Sequence, residues 1–413
     1  MKTGKNLTPK ARKRIINAAR IIALSGVAIS LIGAFVIIDR SGGSGENSRI
    51  AEISALRGSR STQTAVSQQE NDYSDASQVF AESREEYSAV SGGESEITPE
   101  QTVKHGWVIN EHGYTYVYGN AGFEQFNYRM TALLRYVNSL NSLAAAVPEN
   151  ARMFNIVAPV SSTFVSIPRE IYTADEFFNA AQGDFVKAVG ARLDGRIANI
   201  DVITPIKALY DAGDSVFFRT DRNWTSTAAY AAYAEYCAAA GFNRYSANSF
   251  PKNEAGEFLG SFYAATESEN MKNCPDDMVC FCPLPSVAAK LTVYSGKTEY
   301  SCFVPGKNDV TATDGQMVYF GMRSGRYSVS TGVENGKKLL VIGDSSAYPL
   351  VMLLSAHYSL VELIEPGDFD EPFEEYLTNQ EFDDILTVCY STSAVNGDYV
   401  PEFNLMTGVT KNE

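Results

Sequence analysis

The chain has 413 residues, 45% of them apolar and 11% aromatic, which is room for about two domains and a sizeable core. Its formal net charge is −15, but seven of the 34 Lys and Arg fall in the first 20 residues with no acid among them, so residues 21–413 sum to about −22. An acidic body lacks the basic footprint that nucleic acid and anionic lipid require, and argues against both as partners.

The run Ile21–Ile38 carries no charge. At about 1.5 Å per residue it spans roughly 27 Å, enough for the hydrocarbon core of a bilayer. It ends in Val36-Ile37-Ile38-Asp39 with no small-x-small cleavage site, so we read an uncleaved signal anchor rather than a signal peptide. The basic tail, residues 1–20, then stays in the cytoplasm and the body lies outside a single-pass cell-membrane protein. Residues 39–102 are rich in Ser, Gln and Glu and bury too little apolar surface to offset their ordering entropy. Val66, Tyr73, Phe80 and Tyr87 recur every seven residues, but Gln69, Ala76, Ser83 and Val90 make a poor partner seam. The expectation is a disordered or partly helical stalk.

From residue 103 to 413 the pattern is that of one α/β domain. Gly106–Asn110 and Tyr114–Tyr118 alternate around Glu111-His112-Gly113, a hairpin signal. Phe126, Met130, Leu133, Leu134, Val137 and Leu140 fall at helical spacing. Apolar strands are predicted at Phe154–Val157, Ile200–Ile203, Leu339–Ile342, Leu360–Ile364 and Ile385–Tyr390, with helices at Thr225–Ala240 and Tyr348–Tyr358. That alternation implies a mostly parallel sheet covered on both faces. Turns and β-rich pieces at about 250–330, such as Leu291–Tyr294, read as an insertion into it. Of six cysteines, Cys274, Cys280, Cys282 and Cys302 cluster and are candidates for one or two disulfides outside the cell. Cys280-x-Cys282 is too tight for a usual zinc site and has no histidine nearby, so no metal and no cofactor is expected. Cys237 and Cys389 fit buried thiols.

Two segments carry the chemistry. Leu339–Ile342 is a buried strand running through Gly343-Asp344-Ser345-Ser346 into a helix, where a serine meets free backbone N–H groups and a helix dipole that could stabilise an oxyanion. The plainer reading of Ser345 is a helix cap. The second segment is Phe217-Phe218-Arg219-Thr220-Asp221-Arg222-Asn223-Trp224-Thr225-Ser226, in which Thr225 or Ser226 could cap the following helix. The two together resemble the DHHW family of bacterial surface proteins, relatives of the SGNH hydrolases and the alginate O-acetyltransferases. Gly106–Tyr118, Phe258–Tyr263 and Leu353–Pro366 extend the resemblance, which spans roughly 103–400. It implies a three-layer SGNH-hydrolase-like sandwich and a role in polysaccharide or cell-wall acyl modification, beside a glycan or a membrane O-acyltransferase.

In that family a D-x-H pair supplies acid and base, and a later D-S supplies the nucleophile. Carried onto this chain, Ser345 is the nucleophile and Asp221 the acid, while Asn223 stands where the histidine belongs. Asp344, Ser346 and Trp224 are the remaining candidates for oxyanion or substrate contact. Asn223 can donate to Asp221 but cannot take a proton at neutral pH, and Arg222 is too basic to serve. His105, His112 and His357 fit structural or exposed positions better than a replacement base. A Gly-Gly-Asn-His-like turn of the family is also replaced, by Phe320-Gly321-Met322-Arg323-Ser324-Gly325. The expectation is a degenerate, binding or accessory protein. The alternatives are an active serine O-acetyltransferase or esterase using Ser345, and a structural surface module.

Overall fold

The computed structural model describes residues 106–110, 113–165, 180–295, 298–302, 315, 317–321 and 323–408. The basic tail, the apolar run, the stalk, His105 and His112 lie outside these residues. Among the described residues no helix is long and apolar enough to cross a membrane. The chain divides into Met1–Gln69 and Glu70–Glu413, and every described residue belongs to the second unit.

Thirteen strands are described: β1 (Gly106–Asn110), β2 (Gly113–Tyr118), β3 (Ala121–Phe123), β4 (Arg152–Ala158), β5 (Ile197–Ile200), β6 (Lys252–Phe258), β7 (Asp276–Phe281), β8 (Lys290–Ser295), β9 (Thr298–Cys302), β10 (Arg326–Ser330), β11 (Lys338–Gly343), β12 (Leu360–Ile364) and β13 (Asp384–Tyr390). Eight of them form one sheet in the order β5-β4-β13-β11-β12-β10-β8-β9. The first five are parallel, and β10, β8 and β9 continue the sheet antiparallel. β11 and β13 are buried along almost their whole length, which is why both read as unbroken apolar runs. Residues 250–330 are therefore not one block. The β6–β7 ribbon stands apart as a pair, whereas β8 to β10 widen the main sheet.

The helices are α1 (Met130–Ala146), α2 (Gln182–Gly190), α3 (Ile203–Ala212), α4 (Ser226–Ala240), α5 (Ser261–Thr266), α6 (Glu269–Lys272), α7 (Met317–Phe320), α8 (Ala347–Leu354), α9 (Phe373–Gln380), α10 (Ser391–Val395) and α11 (Tyr399–Thr407). Successive side chains of a strand point to opposite faces. Phe154 of β4 packs on Tyr236 of α4, and its neighbour Asn155 accepts a hydrogen bond from Tyr136 of α1, so these helices cover opposite faces of the sheet. α8 packs with α4, and α10 and α11 with α1, giving the two outer layers.

The expected strand Ile200–Ile203 ends at its first residue instead. Asp201 accepts from the N–H groups of Ile203 and Thr204 and from the Thr204 hydroxyl, satisfying the open end of α3 and stopping the strand. Thr225 and Ser226 do not cap α4: Thr225 Oγ1 donates to the Ser215 carbonyl, and Ser226 Oγ bonds the Tyr319 hydroxyl. Cys274, Cys280 and Cys282 are free thiols, and the side chain of Cys302 lies outside those described.

One polar row crosses the apolar sheet. Thr387 of β13, Asn155 of β4 and Asn199 of β5 stand directly opposite one another. Thr387 Oγ1 donates to Asn155 Oδ1 at 2.9 Å, and Asn155 Nδ2 donates to Asn199 Oδ1 at 2.7 Å.

His357, three residues beyond α8, stacks between Phe242 and Tyr233. The Tyr233 hydroxyl accepts from the Tyr245 N–H at 3.0 Å and is hydrogen-bonded to His357 Nε2 at 2.8 Å. Burial pushes the imidazole pKa down from 6.5 to about 4. The unfolded chain therefore binds a proton here before the folded one does, and this contribution to stability is lost as pH falls through that window. An NMR titration of the imidazole, assigned with His357→Phe, should give a midpoint near 4. A midpoint at the ordinary value would place the ring in solvent.

Candidate active site

The two motif segments meet at the carboxyl ends of β11 and β13, where open α/β sheets form their crevices. Residues 217–224 make a tight loop, closed by a bridge between Phe217 and Trp224 and by Phe218 N–H donating to the Asn223 carbonyl at 3.3 Å. Opposite it, β11 ends at Gly343 and turns through Asp344-Ser345-Ser346 into α8. Gly343 is needed there because a Cβ would fall 2.6 Å from the Val388 carbonyl of β13.

Ser345 Oγ donates to Asn223 Oδ1 at 2.9 Å, and Asn223 Nδ2 donates to Asp221 Oδ1. The serine, amide and carboxylate thus form a continuous chain with Asn223 at its centre. The orientation of the amide follows from its partners. Tyr390 OH accepts from the Trp224 N–H at 3.0 Å and so donates its own proton to Asn223 Oδ1 at 3.1 Å. Two hydroxyl donors face Oδ1 and a carboxylate faces Nδ2, which leaves one assignment of oxygen and nitrogen. Asp221 is buried and accepts two further N–H bonds, from Asn223 at 2.9 Å and Ser261 at 2.8 Å. Gly260, just before that serine, lies so close that a Cβ would sit 2.3 Å from the Asp221 Cβ.

Asp344, Ser346 and Trp224 all make hydrogen bonds within the protein. Asp344 Oδ1 accepts from Ser346 N–H at 3.0 Å and Ser346 Oγ at 2.6 Å, and its Oδ2 accepts from Tyr390 N–H at 3.0 Å. A carboxylate accepts and does not donate, so Asp344 cannot stabilise an oxyanion. Ser346 and Trp224 are buried, and the indole N–H donates to the Ser346 carbonyl at 3.2 Å. Ser345 itself makes no cap to α8; its hydroxyl points to Asn223.

Sequence reasoning missed Tyr390, the second donor to Asn223, which ends an apolar strand and carries no motif. It also missed Asp276 on the β6–β7 ribbon. That carboxylate accepts from Thr220 N–H and Thr220 Oγ1, both at 2.7 Å, and from Arg219 N–H at 3.1 Å. Thr220 Oγ1 in turn accepts from Gly260 N–H at 3.1 Å. The Phe258–Tyr263 segment, noted for its resemblance without a role, is thus the floor under Asp221.

No imidazole described here reaches Ser345: His357 belongs to the aromatic stack with Tyr233 and Phe242. Burial, reinforced by the charge of Asp344, holds the Tyr390 phenol well above its ordinary pKa, so it remains a donor. Glu365, following β12, is different. Burial pushes its carboxyl up to about 7, with the charges of Asp368 and Asp344 adding to the shift and a hydrogen bond from Tyr348 opposing it. Among the described residues no group of three or more His, Cys, Asp or Glu could hold a metal ion.

The Asp344 clamp generates a stability contrast. Asp344→Ala leaves three donors without an acceptor at a cost of about 1–3 kcal/mol for each buried one, so urea denaturation should show a loss of several kcal/mol. Ser345→Ala leaves Asn223 Oδ1 its Tyr390 donor and should cost no more than about 1 kcal/mol. Equal losses would mean that Asp344 does not brace the turn.

The DHHW protein family matches residues 8–360, a span that begins well before and ends short of the resemblance at 103–400. The chain resembles the crystal structure of a DHHW family protein from Eubacterium siraeum with a TM-score of 0.62 at 19% identity, over 72% of this chain and 97% of that one. It also resembles Bacillus cereus PatB1 with a sulfonyl adduct, with a TM-score of 0.57 at 12% identity, over 72% and 99%. The O-acetyltransferase domain of Pseudomonas putida AlgJ gives a TM-score of 0.38 at 15% identity, over 73% and 99%, too low to support a common fold. No curated protein sequence matches. At these identities the two closer structures establish the fold, and the family match establishes the lineage: the chain belongs to the DHHW family.

Proposed function

We propose that this DHHW-family protein is a surface component of polysaccharide or cell-wall acyl modification that holds a glycan without turning it over. The carrying observation is the hydrogen-bond chain from Ser345 through Asn223 to Asp221. Its geometry suits proton transfer, but its central member is an amide that cannot accept a proton from Ser345. In subtilisin, loss of the triad base costs about 10⁶ in turnover and leaves ~10³–10⁴ over water. The Ile21–Ile38 run would anchor the protein with its body outside the cell, where a membrane O-acyltransferase is the fitting partner. External protease on intact cells should then remove the body and leave a membrane fragment; a protected body, or one released by cleavage near Asp39, would overturn the topology.

One observation favours a second reading, an active serine O-acetyltransferase or esterase. In the parallel register Ile342 faces Ile364, so Glu365 follows β12 beside the end of β11, and its carboxyl is poised near neutrality. A base there would act once deprotonated, so activity would rise as pH rises through about 7.

A single series separates the two. The wild-type protein should show negligible esterase activity on acetylated model substrates and poor labelling by fluorophosphonate-type serine probes. Asn223→His should raise the activity, because an imidazole would meet Asp221 and Ser345 where the amide does now, and Ser345→Ala in that background should abolish the gain. Wild-type turnover that rises through neutral pH and is lost in both Ser345→Ala and Glu365→Gln would establish the active reading instead.

A further inference from the structure

A cavity of about 730 Å³ opens beside Arg222 of the motif loop, within the size range of small-molecule sites. Its walls come from three parts of the chain: Trp107 of β1 and Tyr114 of β2, Glu124 after β3, and Asp398 and Tyr399 at the start of α11, with Arg222 between them. Arg222 sits between the two members of the altered pair, Asp221 and Asn223. Its guanidinium lies 5.8 Å from the centre of the Tyr390 ring, whose hydroxyl donates to Asn223 Oδ1.

The chemistry of the lining is specific. Tyr114 is 67% exposed, and with Trp107 and Tyr399 it gives the walls aromatic faces suited to the ring faces of a sugar. Hydroxyl and amide groups of Thr392, Ser393, Asn396 and Gln125 supply short donors and acceptors. The charged groups are two carboxylates and one guanidinium, and that guanidinium is already paired with Glu124 at 3.2 Å. The lining is therefore net negative, on a body that sums to about −22. A uronate polymer would bring further carboxylates, and among the described lining residues the one cation is already paired.

We propose that this cavity binds an uncharged stretch of glycan, neutral or N-acetylated hexoses rather than a polyuronate. This deepens the glycan-holding reading above and rests on it. The cavity also carries its own reporter. The chain has two tryptophans, and Trp224 is buried, so a fluorescence change on binding in the cavity is assigned to Trp107.

The test titrates the purified full-length chain with tetramers of glucose, N-acetylglucosamine and galacturonate, reading fluorescence and calorimetry together. At least one uncharged tetramer should give a saturable signal at millimolar concentration or below, and galacturonate none. Trp107→Phe should lose the fluorescence change while calorimetry still detects binding. Tyr114→Ala, at an exposed position that leaves the fold intact, should weaken binding about tenfold, the scale of one lost stacking contact at 1–1.5 kcal/mol. Binding of galacturonate, no saturable binding of either uncharged tetramer, or binding indifferent to Tyr114→Ala would each overturn the assignment. The two readings fail separately. Wild-type esterase turnover would remove the non-catalytic reading and leave these titrations standing, whereas tetramer binding untouched by Tyr114→Ala would remove the cavity and leave glycan holding intact.

Discussion

The carboxylate of Asp344 takes hydrogen bonds from the turn that carries Ser345 and from the end of the neighbouring strand β13. Through Ser346 it fixes the shape of the turn. Through the backbone of Tyr390 it fixes where that ring stands, and the Tyr390 hydroxyl then bonds both Trp224 N–H and Asn223 Oδ1. One acidic side chain thereby aligns three segments that are far apart in sequence. Gly343, with room for no Cβ against β13, lets the two strands come close enough for this to happen.

The other half of the site is held from below. The motif loop hangs from the β6–β7 ribbon through Asp276, and Asp221 is seated against Gly260 and Ser261. These supports hold an asparagine whose amide offers an acceptor to the serine and a donor to the acid. What the amide lacks is basicity, a property of the group itself that the surrounding packing does not supply. The fold is common to the family, and activity turns on a single side chain.

Much of the architecture was legible in the sequence because parallel strands buried on both faces leave continuous apolar runs, as in Leu339–Ile342 and Ile385–Tyr390. The site residues Asp221, Asn223 and Ser345 were legible because each sits in a dense local motif, and the structure brings all three together. What escaped was set by long-range contact. Tyr390 acquires its role only because β13 lies beside β11, a pairing that no local pattern encodes. Asp344 looked like a ligand-facing group since it adjoins the serine, yet its bonds run inward. The boundary at Ile200 was misplaced because Ile200 to Ile203 is as apolar as a strand; only the side chain of Asp201, bonding to the backbone ahead of it, marks where α3 begins.

Continuous apolar strands also create a difficulty for folding. With little alternation of polar and apolar residues, β4 and β13 could slide past one another and still bury similar side chains. The row of Thr387, Asn155 and Asn199 removes that freedom, because its hydrogen bonds close only when the three stand opposite one another. Any slippage would bury amide groups without partners, at about 1–3 kcal/mol for each. The row thus acts as an index mark for strand alignment, and the crevice at the strand ends inherits its accuracy from a few polar atoms deep in the sheet.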